Sequence, residues 1–216
     1  MIFWKGKRTM KLYILRHGET DLNTKGVMQG WLDAPLNRNG RSLAVLTGQG
    51  MRGIAFDKCI SSPLIRATET AQIVLRESKN DIPIQTDDRI REINFGAMEG
   101  RTIAEMGEAG ALFFKDPFRF PGFPGGETIR GVCERTQAFL KSLIAQDDGK
   151  TYLICTHGCA TRAMLNFLYE NPADFWRGHP PYNCCVNIVF AEQNRPKLVA
   201  ADKVYYDERL IVNHYK

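Results

Sequence analysis

The run Lys11-Leu12-Tyr13-Ile14-Leu15-Arg16-His17-Gly18-Glu19-Thr20 constrains this chain more than any other stretch. Leu12 to Leu15 is short, apolar and rich in strand-forming types, and it stops at an arginine, a histidine and a glycine. That is the pattern of a buried strand ending in chemistry. Thr151 to Thr156 closes the same way on His157-Gly158, and Phe56 to Ser62 leads through Pro63 to Arg66. Ligands of open α/β sheets bind beyond the carboxyl ends of the strands, so three such ends would bring two imidazoles and two guanidiniums to one anion. The natural guest is a phosphoryl group.

At 216 residues, with 44% hydrophobic and 25% charged residues, the chain suits one large core. The expected fold is a single-domain α/β architecture, a mostly parallel sheet flanked by helices on both faces. The net charge of +5 is spread without any run of five basic residues, so the chain lacks a nucleic-acid footprint and suits a small anionic substrate. Six cysteines give no C-x-x-C pair and no zinc ligand set, and read as free thiols of a reducing cytoplasm. No apolar leader follows Met1, and no stretch of 18 apolar residues occurs, which disfavours secretion and membrane spanning. Residues 1–10 read as an N-terminal tail, with Met10 as an alternative start.

Along the chain, Asp21 to Asn39 reads as a long loop beside the first strand end, with Asn23, Gln29 and Gly30 as its ligand contacts. Asn37 to Gly40 starts a helix that Gly48, Gly50 and Gly53 should end. Pro63 opens a second helix, which puts Arg66 in its first turn. Ile82-Pro83-Ile84 reads as an edge strand. A helix is expected from Thr102 to Phe114, then a Pro/Gly/Phe-rich segment, then a helix capped by Thr128 and running through Leu143. The strand Thr151 to Thr156, a helix from Cys159 to Tyr169, and strands at Asn183 to Phe190 and Lys197 to Ala201 complete the chain.

Phosphoryl transfer through histidine needs a nucleophilic imidazole, cations around the phosphate oxygens and a proton donor for the leaving alkoxide. His17 serves as nucleophile, Arg16, Arg66 and His157 as the clamp, and Glu92 is the nearest donor. Leu15-Arg16-His17-Gly18-Glu19-Thr20 resembles the signature of the histidine phosphatase superfamily. The resemblance continues in Ser61-Ser62-Pro63-Leu64-Ile65-Arg66-Ala67, in Glu92-Ile93-Asn94-Phe95-Gly96-Ala97-Met98-Glu99-Gly100 and in Thr156-His157-Gly158. It implies a phosphohistidine on His17, a phosphate pocket of Arg16, Arg66 and His157, and Glu92 as acid and then base. It also implies phosphate contacts from Asn23 and from the backbone N–H of Gly158, and no metal or other cofactor. His179 and His214 fall in no motif and read as surface or packing histidines, and Glu99 as a charge at a helix start.

Two outcomes share this pocket. Water takes the phosphoryl group from His17, as in a phosphatase, or a substrate hydroxyl takes it back, as in a phosphoglycerate mutase. The short interval from Gly100 to Thr156 resembles the phosphatase branch, so the expectation is a phosphomonoesterase acting on a small phosphorylated metabolite, with mutase as the alternative. A non-catalytic phospho-ligand binder is a third reading, whose mark would be loss of His17, Arg16 or the acid. The cluster Phe113, Phe114, Phe118, Phe120 and Phe123 reads either as core or as part of a lid near residues 101–127. Glu127 reads either as a substrate contact or as a charge in a helix's first turn. Apolar residues near Trp176 or Tyr205-Tyr206 would serve a homodimer.

Overall fold

Successive residues of the central strands enter different cores, because side chains alternate across a sheet and both faces of this one are covered. The computed structural model describes residues 9–212. Its strands are β1 (Met10–Arg16), β2 (Lys58–Ser61), β3 (Ile84–Thr86), β4 (Thr151–Thr156), β5 (Val186–Glu192) and β6 (Arg195–Lys203). The helices are α1 (Asp21–Thr24), α2 (Arg38–Gly50), α3 (Ile65–Glu77), α4 (Gly107–Lys115), α5 (Ile129–Ile144) and α6 (Gly158–Leu165). Leu12, Ile14, Tyr152 and Ile154 pack with Phe139 and Leu143 of α5 and Met164 of α6. Leu15, Leu153 and Cys155 pack on the other face with Leu43 and Ala44 of α2 and Ala67, Ala71 and Val74 of α3.

The sheet order is β3-β2-β4-β1-β5-β6. Pairs β1–β4, β4–β2 and β2–β3 are parallel, whereas β5 and β6 run antiparallel. Gln193 and Asn194, both with positive φ, turn β5 back into β6 as a two-residue hairpin of the twist that strands favour. The expected fold class is therefore the one observed. The sheet's central register fixes the site: Arg16 pairs with Thr156, and Ser61 with Cys155. His17, His157 and Ser62 thus leave three adjacent strands side by side.

Several elements differ from the sequence reading for local reasons. Met10, expected in the tail, is the first residue of β1 and is buried; residues 1–8, and with them most of that tail, lie outside the described residues, as does His214. Helix α2 ends at Gly50, as expected, but Gly48 lies inside it. A Cβ on Gly48 would stand 2.6 Å from Glu77 Cβ, so glycine lets α2 approach α3 closely. Helix α4 starts at Gly107 instead of Thr102, because Glu105 caps Thr102 through its N–H and hydroxyl at 2.8 Å each and Gly107 takes a positive φ. The six cysteines are free, as expected, and burial pushes the thiols of Cys155, Cys159 and Cys185 well up. Among the described residues no helix is long and apolar enough to cross a membrane.

One buried ion pair ties α6 to the outer strand. Arg162, with no exposed surface, donates through Nη2 to Asp202 Oδ2 at 2.8 Å and to His179 O at 2.9 Å. Removing one partner of such a pair leaves an uncompensated charge. Asp202→Ala is therefore expected to lower unfolding free energy by about 3–5 kcal/mol in urea titrations. A loss under about 1 kcal/mol, the scale of an exposed pair, would show that the pair carries little of the stability.

Candidate active site

Burial and hydrogen bonding select one form of His17. Its N–H donates to Thr156 O at 2.9 Å, and its carbonyl accepts from Asn183 Nδ2 at 3.1 Å, so the backbone is held on both sides. Gly18 follows where α2 passes: a Cβ there would stand 2.6 Å from Gly40 O. The Nδ1 of His17 lies 2.6 Å from Gly18 O. A carbonyl only accepts, so Nδ1 carries the proton and Nε2 keeps the lone pair. Burial, then Arg66 and Arg16, hold the imidazole well below its usual pKa of 6.5. A neutral ring with an unprotonated Nε2 is the nucleophilic form.

His157 stands next to it, with ring centroids 5.1 Å apart. Its Nε2 lies 2.8 Å from Ser62 Oγ, and among the described residues its buried Nδ1 has no partner. Burial and the charge of Arg66 hold this imidazole well below 6.5 as well. His17, Arg16, Arg66, Asn23, Gln29, Gly30, Glu92 and Gly158 all line one cleft of about 450 Å³, counted to its open mouth. His157 is fully buried beneath that lining.

Each guanidinium is anchored. Arg16 Nη1 donates to Pro181 O, and its Nε has no partner among the described residues. Arg66 donates from Nη1 to Leu32 O at 2.7 Å and from Nη2 to Gly30 O at 2.8 Å, and so holds the loop that carries Gln29 and Gly30. Gly30 has φ +50°, and a Cβ there would meet Glu99 Oε1 at 2.4 Å. Asn23 and Gln29 both turn a carbonyl oxygen to Thr20 Oγ, at 3.2 and 2.9 Å.

The carboxylate of Glu92 sits at the N-terminus of α6. Oε1 accepts from Ile93 N and Ala160 N at 3.0 Å each, and Oε2 from Cys159 N at 3.2 Å. Here the helix end receives a carboxylate, as its dipole favours. Oε1 thus accepts two of these bonds and Oε2 one. Gly158 lies between this oxygen and Arg16: its Cβ position is 3.8 Å from Glu92 Oε2 and 3.5 Å from Arg16 Nε.

Two side chains are placed otherwise than expected. Glu127 is absent from the cleft lining, because its carboxylate is bound to Arg135 at 2.7 and 2.8 Å and to Asn94 N at 2.9 Å. Glu99 starts no α-helix; its Oε1 accepts from Trp31 N at 2.7 Å and ties two loops together. His179 stacks on Tyr182 at 4.4 Å, a packing role. Ser62, Arg135 and Trp176 were not singled out in the sequence as site residues. Ser62 had a signal in the second motif, whereas Arg135 and Trp176 fall in none.

Part of the cleft lining is apolar: Met28, Ile93, Phe95, Phe113, Phe114 and Trp176. Phe113, Phe120 and Phe123 are buried in the same cluster, so the Phe-rich segment is both core and pocket wall. Phe114 stacks on Trp176 at 5.4 Å, and Trp176 Nε1 is fixed by Phe113 O at 3.0 Å.

The family model for the histidine phosphatase superfamily (branch 1) matches residues 12–203. The chain belongs to the histidine phosphatase superfamily. Within it, a 2,3-bisphosphoglycerate-dependent phosphoglycerate mutase of Cytophaga hutchinsonii is 33% identical over 171 residues, 76% of this chain and 79% of its own. The structure of Bacillus stearothermophilus YhfR superposes with TM-score 0.83 and 30% identity, covering 96% of this chain and 100% of that one. Phosphoserine phosphatase from Entamoeba histolytica gives TM-score 0.77 and 28% identity, with 88% and 95% covered. Superfamily relatives thus carry both mutase and phosphatase names.

The two imidazoles predict a pH dependence. Their folded pKa values are depressed, so as pH falls through 6.5 the unfolded chain binds protons that the folded one does not. Their contribution is complete above pH 6.5 and declines below it, by about 1.4 kcal/mol per pH unit for each histidine. Between pH 7 and 5, His17→Gln is expected to lose less stability in urea titrations than the parent. Identical losses would mean that His17 titrates normally in the folded state.

Proposed function

We propose that the protein is a phosphomonoesterase that works through a phosphohistidine on His17. Nε2 attacks phosphorus as the ester P–O bond breaks, and Glu92 gives its proton to the departing oxygen. Glu92, now a carboxylate, takes a proton from water as that water attacks phosphorus; the P–N bond breaks and inorganic phosphate leaves. Arg16 and Arg66 neutralise the phosphoryl oxygens, Asn23 and the first turn of α6 at Gly158 border them, and His157 offers its Nδ1 from beneath.

What favours hydrolysis over mutation is the charge distribution of the cleft. A phosphoglycerate mutase has to hold a carboxylate beside the phosphoryl group while the intermediate reorients. The cationic side chains in the lining are Arg16 and Arg66, close to His17, and the rest of the wall includes the rings of Phe95, Phe113, Phe114 and Trp176. Such a wall suits an apolar leaving group and gives a carboxylate no partner. The mutase reading draws on the mutase names of several relatives, the Cytophaga protein among them. A silent phospho-ligand binder finds no support, because none of the reacting groups is missing.

The test is incubation with p-nitrophenyl phosphate and, separately, with 3-phosphoglycerate plus a trace of 2,3-bisphosphoglycerate, following phosphate and isomerised product. The expected result is released phosphate without isomerisation, and a loss of at least about 1,000-fold in His17→Ala. Rapid isomerisation would place the protein with the mutases, and activity retained in His17→Ala would remove His17 as nucleophile.

A further inference from the structure

We infer that the ion pair Arg135–Glu127, outside the cleft, is the device that positions Glu92 as the proton donor; the inference rests on the role proposed above for Glu92. Arg135 projects from α5 behind the acid loop, and its fork is fully used. Nη1 donates to Arg89 O at 2.9 Å and Arg91 O at 2.7 Å, and Nη2 to Glu92 O at 2.8 Å. Nε and Nη2 also donate to the two oxygens of Glu127. Three carbonyls within four residues of the acid loop therefore hang on one planar guanidinium, and the carboxylate fixes its plane.

Glu127 closes the clamp from the other side. Its Oε2 accepts from Asn94 N at 2.9 Å, and its own N–H donates to Asn94 O at 2.8 Å. The segment from Arg89 to Asn94 is thus sewn to the start of α5 by side chains of two residues. The carbonyl of Glu92 takes a second donor, Trp31 Nε1 at 2.8 Å. With the Glu92 backbone fixed on both sides, its short side chain has one reach, to the first turn of α6 beside Gly158. A general acid depends on this kind of placement, since an error near 1 Å costs about 100-fold.

Lysine keeps the charge of Arg135 but presents no planar fork, so Arg135→Lys tests geometry rather than charge. The measurement is kcat/KM on 2-phenylethyl phosphate, whose alkoxide needs a proton, and on p-nitrophenyl phosphate, whose phenolate does not. Glu92→Gln sets the reference, with a loss confined largely to the alkyl ester. Arg135→Lys is expected to lose roughly 10- to 100-fold on the alkyl ester and under about 3-fold on the aryl one. In the Glu92→Gln background it should cost almost nothing further, because both changes act through one group. Glu127→Gln should repeat the pattern at smaller size, which covers the case of an Arg135→Lys chain that does not fold. Equal losses on both esters, or additivity with Glu92→Gln, would overturn the inference and leave the pair a purely structural tie. If Glu92→Gln itself loses both esters equally, the acid role of Glu92 falls, a different failure from that of the clamp.

Discussion

The register of β4 between β1 and β2 is the constraint on which the site depends. Parallel pairing aligns Arg16 with Thr156 and Cys155 with Ser61, so the next residues of the three strands emerge in one row. A shift of one residue would turn His17 to the opposite face and send Leu12 and Ile14 out of their core. The cores on the two faces thus hold the register that the chemistry needs. Helices enter directly afterwards: α3 brings Arg66, and α6 brings the backbone N–H groups that receive Glu92.

Electrostatic restraint follows from that packing. Two guanidiniums and two imidazoles share a buried volume, and the imidazoles respond by staying neutral. The arginines are tied to backbone carbonyls of Gly30, Leu32 and Pro181, so their charge is fixed in place before any ligand arrives. A site whose donors are already oriented loses little in reorganisation when charge develops on a phosphoryl group. The same cleft is lined by Phe95, Phe114 and Trp176, whose rings lower the local polarity.

Much of this was legible in the sequence, for physical reasons. Strand-end motifs carry their own punctuation: the apolar run into Arg16, His17 and Gly18 is informative because three further motifs follow it in order, and Thr128 and Asn37 announce helix starts by capping chemistry. The residues that escaped notice act across long sequence separations or through backbone atoms. Arg135 meets carbonyls more than 40 residues earlier, which no spacing can announce, and Glu127 reads from sequence either as a substrate contact or as a helix-start charge because no motif marks its partner Arg135. Whether Phe113 was core or pocket could not be told from its type, because it is both. Helix α4 began late since Glu105 and Gly107 rearranged a turn that helical periodicity alone did not betray.

The central claim is that the phosphoryl group rests on His17 between two half-reactions. It is tested most directly by quenching the enzyme in alkali within milliseconds of mixing with a phosphate ester labelled at phosphorus, then mapping the label by peptide mass analysis. The account predicts an acid-labile, alkali-stable label on the peptide containing His17, formed and lost as fast as turnover. Turnover with no labelled protein, or label on another residue such as Glu92 or Cys159, would contradict it.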